Sequence, residues 1–152
     1  MNDGAEIGMG ERPLWLPIVR LARVRASSQA PEFPATNALT PDVHSEWRAA
    51  EPGAQLIEFR FHLARTIRRI RIVIVDGDQE RTQDLSVAWT SRRGERSGVA
   101  VRQLFNFSPR GATRQVEEFA VDLPALSTIE LRILPDIRGG PAVARVSEFA
   151  LS

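Results

Sequence analysis

The stretch from Leu56 to Val75 reads LIEFRFHLARTIRRIRIVIV, and apolar residues recur in it at every second position. A period of two places one set of side chains on a buried face and the other toward solvent, which is typical of a half-buried β-strand. A helix would spread the same apolar residues around its axis and leave many of them in water. We therefore predict two strands of the core, joined across Ala64 to Thr66. The side chains predicted to face the core are Ile57, Phe59, Phe61, Leu63, Ile70, Ile72 and Ile74.

The same alternation, separated by turn sequences, recurs along the rest of the chain. Prolines interrupt the segment from Leu14 to Ile18, which suits an edge strand or a pinning segment. Prolines also break Ser27 to Trp47 into irregular structure, in which Ala35 to Leu39 is predicted to form a helical turn. Further strands are predicted at Arg20 to Ala26, Leu85 to Trp89, Val99 to Phe107, Val116 to Leu123, Ile129 to Ile133 and Val143 to Leu151.

These strands predict the fold class and the domain organisation. About eight short strands with almost no helix indicate an all-β protein, an antiparallel jelly-roll β-sandwich. A chain of 152 residues suits one domain with one core. We expect a flexible N-terminal arm at residues 1–13, followed by a single β-sandwich domain at residues 14–152.

Composition excludes several kinds of site. The chain has no cysteine, so it has no disulfide and no thiolate nucleophile or metal ligand. Its net charge of +1 argues against nucleic-acid binding through bulk charge, although a local basic patch stays open. There is no lysine, so every strong cation is arginine. Codon bias in a GC-rich genome explains this, and selection for bidentate contacts to carboxylate or phosphate is the alternative.

The N-terminal sequence gives an expectation about location. It has acidic residues early and lacks the continuous apolar core of a secretory signal. No run of 18 apolar residues is present, so we expect no membrane span. The default expectation is a cytoplasmic protein. A particle-associated or released component is the alternative, because such proteins also carry no signal.

The order of short motifs resembles the discoidin or coagulation factor type C (F5/8 type C) domains. Ser27 and Ser28 follow the first strand as the serine pair of that family does, and Trp47 matches its tryptophan. The chain departs from the family at Thr40-Pro41-Asp42, which replaces Asp-Gly and puts a calcium at that turn in doubt. The other matching positions are Asn37-Ala38-Leu39, Leu63, Ile67, Ile70, Ile72, Ser91, Ile129 to Ile133 and Val146 to Phe149. The resemblance implies a galactose-binding-like β-sandwich.

A second resemblance covers fewer positions. Ser27-Ser28-Gln29 and Trp47-Arg48-Ala49-Ala50, followed by Gly53, are similar to the N-terminal domain family of the X-ray-repair cross-complementing scaffold protein of single-strand-break repair. This resemblance implies contact with broken DNA or with a repair protein. The arginines that would bind nucleic acid in this alternative are Arg68, Arg69, Arg71, Arg92 and Arg93.

The first resemblance implies that a ligand binds in the loops at one end of the sandwich. By position these loops are Ser28 to Pro34, Val43 to Arg48, Asp76 to Arg81, Ser108 to Ala112 and Asp136 to Pro141. We expect a non-catalytic recognition module that binds a carbohydrate or cell-surface glycan, alone or as a subunit of a larger assembly. The predicted ligand-binding residues are Phe33, His44, Glu46, Arg48, Asp78, Arg81 and Arg138.

Other chemistry is not indicated. The only histidines are His44 and His62, and no spacing marks a catalytic triad, so we expect no enzyme. Residues 76–78 are expected to form a solvated turn, with calcium binding as the alternative, and no cofactor or metal is predicted. Trp47 and Trp89 are expected in the core, whereas Phe107 is expected as an exposed aromatic beside a loop. A structural adaptor that docks through a sheet is a third alternative.

Overall fold

The computed structural model describes residues 14–40 and 45–152. The predicted arm at residues 1–13 and the predicted binding residue His44 lie outside the described residues. The predicted helical turn is present as a 3-10 turn (Ala35–Leu39), and the all-β class is confirmed. The described residues form a short helix α1 (Ile18–Leu21) and the strands β1 (Ala22–Ala26), β2 (Trp47–Pro52), β3 (Gln55–Val75), β4 (Arg81–Ser91), β5 (Ser97–Phe107), β6 (Arg114–Leu134), β7 (Val143–Val146) and β8 (Glu148–Leu151), with a second 3-10 turn (Arg92–Gly94).

A long antiparallel ribbon made of β3 and β6 organises the fold. Its pairing loses regular register between Arg60 and Arg69 of β3, opposite Ala125 of β6, whose φ is 54°. The ribbon folds over at this point. As a result one half of it pairs with β1 and β4, and β5 pairs with β4, whereas the other half pairs with β8.

The two halves of the ribbon lie in facing layers. Phe59 belongs to the first half of β3, and Phe149 belongs to β8, which pairs with the second half. Their rings stack with centroids 4.6 Å apart and an interplanar angle of 10°. β2 and β7 form a separate two-stranded sheet, and Trp47 and Val146 from this sheet are fully buried in the same core. The predicted jelly-roll β-sandwich and the predicted burial of Trp47 are therefore confirmed.

The bounds of five predicted strands were wrong. β3 is continuous through Ala64 to Thr66, where a joint between two strands was expected. β6 joins the two strands predicted at Val116 to Leu123 and at Ile129 to Ile133, and the last predicted strand, Val143 to Leu151, is two strands in different sheets. An alternating pattern marks extended backbone. It does not mark where a strand bends or changes partner, because distant contacts decide that.

Several side chains also differ from expectation. Leu63 is 77% exposed because it lies where the ribbon folds over, and Phe107 is fully buried although it borders a loop. Trp89 is only partly buried. The segment from Leu14 to Ile18 is not a strand, but it is pinned, because the Leu16 N–H donates to the Leu151 carbonyl at 2.8 Å.

Folding the ribbon over gives the sandwich two different ends. The loop end comprises the connections 76–80, 108–113 and 135–142, and the Asp76 N–H joins two of them by donating to the Thr113 carbonyl at 2.9 Å. The bend end comprises residues 63–65 and 124–125 and the turn Arg92–Gly94, which follows the pairing of Ser91 with Leu126. Among the described residues, no helix is long and apolar enough to cross a membrane.

Candidate functional site

The outward side chains of β2 and β7 begin the candidate site. Arg48 of β2 lies opposite Arg145 of β7, and Glu46 lies between the two guanidinium groups. Oε2 of Glu46 is 2.6 Å from Nη2 of Arg48 and 3.1 Å from Nη2 of Arg145. The Glu46 side chain is only 12% exposed, so this arrangement is held in place. Arg48 and Arg145 point outward because side chains alternate along a strand. Their neighbours Trp47, Ala49, Ala144 and Val146 all face the core.

Arg145 connects this pair to the loop end. Its Nη1 lies 3.7 Å from Oδ1 of Asp76 and 3.7 Å from Oδ2 of Asp78. The Asp78 side chain is 81% exposed, whereas Asp76 is buried. Arg145 therefore bridges a buried acid, an exposed acid and Glu46. Sequence reasoning missed Arg145 and expected Asp76 in a solvated turn, whereas Asp76 is buried. Alternation gives the direction of a side chain but not its neighbours across the fold.

Arg81 contacts the loop at residues 76–80 from the interior of the protein. Its Nε donates to Oδ2 of Asp76 at 2.8 Å, and its Nη1 donates to the Pro135 carbonyl at 2.7 Å and to Oε1 of Gln83 at 3.0 Å. Its Cζ lies 4.3 Å from the centroid of the Phe107 ring. The side chain is fully buried, and its Nη2 has no hydrogen-bond partner within the described residues. The expectation that Arg81 faces a ligand is corrected, because this guanidinium fastens loops 76–80 and 135–142 together.

Asp76 is ionised in this setting. Burial by itself would raise the pKa of its carboxyl group, because a charge is poorly solvated there. The hydrogen bonds from the Asp78 N–H and the Arg81 guanidinium act in the opposite direction, as do the positive charges of Arg81 and Arg145. These contributions outweigh burial, so the pKa of Asp76 lies below its usual 3.8.

Phe33 adds an aromatic surface beside these charges. The Arg48 guanidinium lies over its ring, with Cζ 4.3 Å from the centroid, and the Arg48 N–H donates to the Phe33 carbonyl at 3.2 Å. Phe33 remains partly exposed. Arg138 also lies at the loop end, but it is exposed and pairs with Asp136 at 3.4 Å.

We call Glu46, Arg48, Asp76, Asp78, Arg81 and Arg145 the rim network. The structure brings five of the seven predicted residues, Phe33, Glu46, Arg48, Asp78 and Arg81, into this network or onto it, and it leaves Arg138 apart. Three acids balance three arginines, so the site has fixed donors and acceptors without a strong net charge. Within residues 14–40 and 45–152, no three His, Asp or Glu side chains converge as a metal site.

Comparison with solved structures relates this architecture to known proteins. The family 32 carbohydrate-binding module of NanJ from Clostridium perfringens, solved in complex with galactose, superposes with a TM-score of 0.67 at 14% identity, over 90% of this chain and 96% of that one. CpGH89CBM32-5 from the same organism, in complex with GalNAc-β-1,3-galactose, gives 0.65 at 15% identity over 91% and 99%. A pectin-binding module gives 0.64 at 16% identity over 87% and 90%.

This chain has a galactose-binding-like fold. A family model described as the XRCC1 N terminal domain also matches residues 16–78. A search of curated proteins found no match. Residues 16–78 cover β1 to β3, and therefore include Phe33, Glu46 and Arg48 but none of β7.

The arginines predicted for nucleic acid lie toward the bend end of the galactose-binding-like sandwich. Arg69 and Arg71 both pair with Glu118, at 2.8 and 2.9 Å, and Arg68 lies 3.8 Å from Asp122. Arg92 and Arg93 are exposed in their turn and form no ion pair within the described part of the chain. Of these five arginines, the three on β3 each lie within ion-pair distance of an acid, whereas the two in the turn do not within the described residues.

Proposed function

We propose that this protein is a non-catalytic carbohydrate-recognition module that binds its ligand at the loop end. The observation that carries the proposal is the rim network, in which Glu46 and Arg145 are partly exposed yet fixed by each other. The fold supports the proposal, because the solved neighbours include modules whose complexes contain galactose or GalNAc-β-1,3-galactose.

The chemistry of the rim network suits a hydroxylated, uncharged ligand. A sugar hydroxyl both donates and accepts hydrogen bonds, and hydrogen bonds that involve a charged partner are the stronger ones. Glu46 and Asp78 supply acceptors, Arg48 and Arg145 supply donors, and Phe33 supplies an apolar face at the border. Glu46, Arg48 and Arg145 already hold one another, so binding does not have to order these three side chains.

Two acids at this end, Asp76 and Asp136, do not suit the role of a general acid. Asp76 and Asp136 both have pKa values lowered below the usual range, Asp76 despite its burial and Asp136 mainly through the hydrogen bond from the Arg138 N–H. Glycoside hydrolysis needs a carboxylic acid whose pKa is raised so that it can donate a proton. The lowered pKa values instead fit carboxylates that only accept hydrogen bonds.

Replacing Glu46 tests the proposal. We expect the intact protein to bind galactose or GalNAc-β-1,3-galactose in calorimetric titration, and Glu46→Gln to weaken that binding by about tenfold or more, since a hydrogen bond to a charged group is worth about 1.5–3 kcal/mol. Glu118→Gln is the matched control, because Glu118 also bridges two arginines, Arg69 and Arg71, but lies away from the loop end. The control should bind as the unmodified protein does.

Two results would contradict the proposal. One is the absence of binding to every carbohydrate on a glycan array that includes these two sugars. The other is an equal loss of affinity in Glu46→Gln and Glu118→Gln, which would indicate a general effect of removing a bridging carboxylate.

A second candidate is a DNA-break or repair-protein scaffold, which the family-model match to residues 16–78 favours. The exposed Arg92 and Arg93 at the bend end are the groups best placed to contact phosphate. This candidate predicts binding to nicked or gapped DNA that weakens steeply with salt and weakens further in Arg92→Ala/Arg93→Ala. Binding that is absent, or that is unchanged by salt, would exclude it.

A further inference from the structure

The outer face of the sheet formed by β5, β4 and β6 contains a trough that lies apart from the rim network. Its floor follows β4, where the outward side chains Ser86, Ala88 and Thr90 are small. The outward side chains of the flanking strands are mostly larger and form the walls. These are Ser97, Val99 and Arg102 on β5, and Thr128, Glu130 and Arg132 on β6.

The trough consists of two adjoining hollows. One, of about 290 Å³, lies over Ala88 and Thr90. The other, of about 350 Å³, lies over Ser86 and reaches Gln55. Val99 and Arg132 line both hollows, so the two are continuous. From Asp84 to Thr90 the floor is about 20 Å long, at about 3.3 Å per residue.

Hydrogen-bonding groups of both signs line the trough in pairs. Arg132 Nη2 lies 2.8 Å from Glu130 Oε1, and Arg102 Nη2 lies 2.7 Å from Asp84 Oδ2. Each pair remains partly exposed, with exposures of 52% for the Arg132 side chain and 70% for the Arg102 side chain. The paired charges offer donors and acceptors without a net charge. This favours an uncharged, polyhydroxylated occupant over a phosphate polymer.

The trough also reaches toward the loop end. Gln55, which lines the hollow over Ser86, accepts hydrogen bonds from the hydroxyls of Ser27 and Ser28 at its Oε1. The Trp47 indole N–H donates to the Ser28 carbonyl at 3.0 Å, and Trp47 directly follows Glu46. Ser27 and Ser28 therefore connect Gln55, at one end of the trough, to Trp47, the residue that follows Glu46 of the rim network.

We propose that the trough is a second binding site, which holds further units of a neutral oligosaccharide. This rests on the proposed carbohydrate-binding function and specifies the ligand class, an extended chain and not only a terminal sugar. Small floor residues leave the space, Val99 gives an apolar contact, and the pairs Glu130–Arg132 and Asp84–Arg102 bind hydroxyls along the length.

The dependence of affinity on chain length tests the inference. Galacto-, xylo- and cello-oligosaccharides of one to six units are titrated into the intact protein. We expect affinity in one series to rise by about tenfold from monomer to hexamer, which corresponds to about 1.4 kcal/mol. Ser86→Trp fills the trough and should abolish this rise while leaving monosaccharide binding unchanged. Glu130→Gln should reduce the rise.

Glu118→Gln is the matched control for Glu130→Gln. Glu118 is also an outward residue of β6 that pairs with arginines, Arg69 and Arg71, at 2.8 and 2.9 Å, but it lies on the other half of the ribbon, outside the trough. Chemical-shift mapping on the unmodified protein adds a measurement that needs no variant, since the hexamer should shift the amide signals of Val99 and Thr128.

The outcomes separate this inference from the proposed function. If monosaccharide binds and Glu46→Gln weakens it, but affinity does not rise with chain length, only the trough is excluded. A rise of affinity with chain length that survives in Ser86→Trp would also contradict the trough as a binding site. So would a hexamer that shifts neither the Val99 nor the Thr128 amide signal. If no sugar of any length binds, both proposals fail.

Discussion

At the scale of single residues, the most constrained group of the candidate site is the Asp76–Arg81 pair. Both side chains are buried, and their contact at 2.8 Å neutralises a guanidinium that is fully removed from water. Breaking a buried pair by removing one partner leaves an uncompensated charge, which is much more costly than losing an exposed pair. The loop end therefore depends on Asp76 for stability as well as for shape.

Asp76→Asn should lower the free energy of unfolding at pH 7 by about 3–5 kcal/mol. The loss should depend on pH. Because the folded pKa of Asp76 is lowered, its contribution is fully present above the unfolded pKa of about 3.9 and disappears as pH falls through the folded pKa. Urea unfolding of both proteins between pH 3 and 7 measures the difference, which should be constant above about pH 5 and shrink below about pH 4.

Asp136→Asn is the matched control for this prediction. Asp136 also accepts a hydrogen bond from the N–H two residues later and pairs with an arginine, Arg138, but that arginine is 63% exposed. The control should lose far less stability than Asp76→Asn. Equal losses in the two variants would show that burial of the Asp76–Arg81 pair does not matter.

At the scale of elements, the folded ribbon depends on unusual backbone at one residue of β6. Ala125 has a φ of 54°, in the left-handed region that costs an L-residue about 1–2 kcal/mol. It follows Pro124, its side chain is exposed, and it lies where β6 folds over with β3. Removing its Cβ relieves this strain and gives up little packing.

Ala125→Gly should therefore be neutral or should stabilise the protein by up to about 1 kcal/mol. Ala120→Gly is the matched control in the same strand. Ala120 is also exposed but has no positive φ, so glycine there should destabilise by about 0.5–1 kcal/mol. Chemical denaturation of both variants measures the two changes in the free energy of unfolding. A loss at Ala125 as large as that at Ala120 would mean that the bend stores no such strain.

At the scale of the whole molecule, the two layers share their main strands. β3 and β6 run through both layers, and the Phe59–Phe149 stack joins the layers across the core. If β3 and β6 unfold in one layer, the strands of the other layer lose their hydrogen-bonded partners as well. The sandwich is therefore expected to unfold as a single cooperative unit, as small single domains usually do.

Thermal unfolding should give coincident transitions when it is followed by far-ultraviolet circular dichroism and by the fluorescence of the buried Trp47, isolated by replacing Trp15 and Trp89 with phenylalanine. Phe149→Ala should lower the free energy of unfolding by about 3–5 kcal/mol, since it opens a cavity between the layers. Both probes should move together in that variant. Transitions that separate would show that the layers unfold independently.

The sequence by itself determined which residues are buried along most strands and which kind of fold results. Alternation in β3 correctly marked Ile57, Phe59, Ile70 and Ile72 as core, because a period of two is a local property of extended backbone. The family resemblance assigned Phe33, Glu46, Arg48 and Asp78 to one end, and they lie close together there; that they bind a ligand stays a prediction.

The tertiary structure alone decided where the ribbon folds over and which charges meet. Leu63 breaks the alternation only because the bend turns it into solvent, and Arg81 is buried only because Asp76, Gln83 and Pro135 converge on it. Arg145 joins the rim network through contacts with residues far away in sequence. Such neighbours depend on how paired strands are laid against one another, and no local pattern in the chain carries that information.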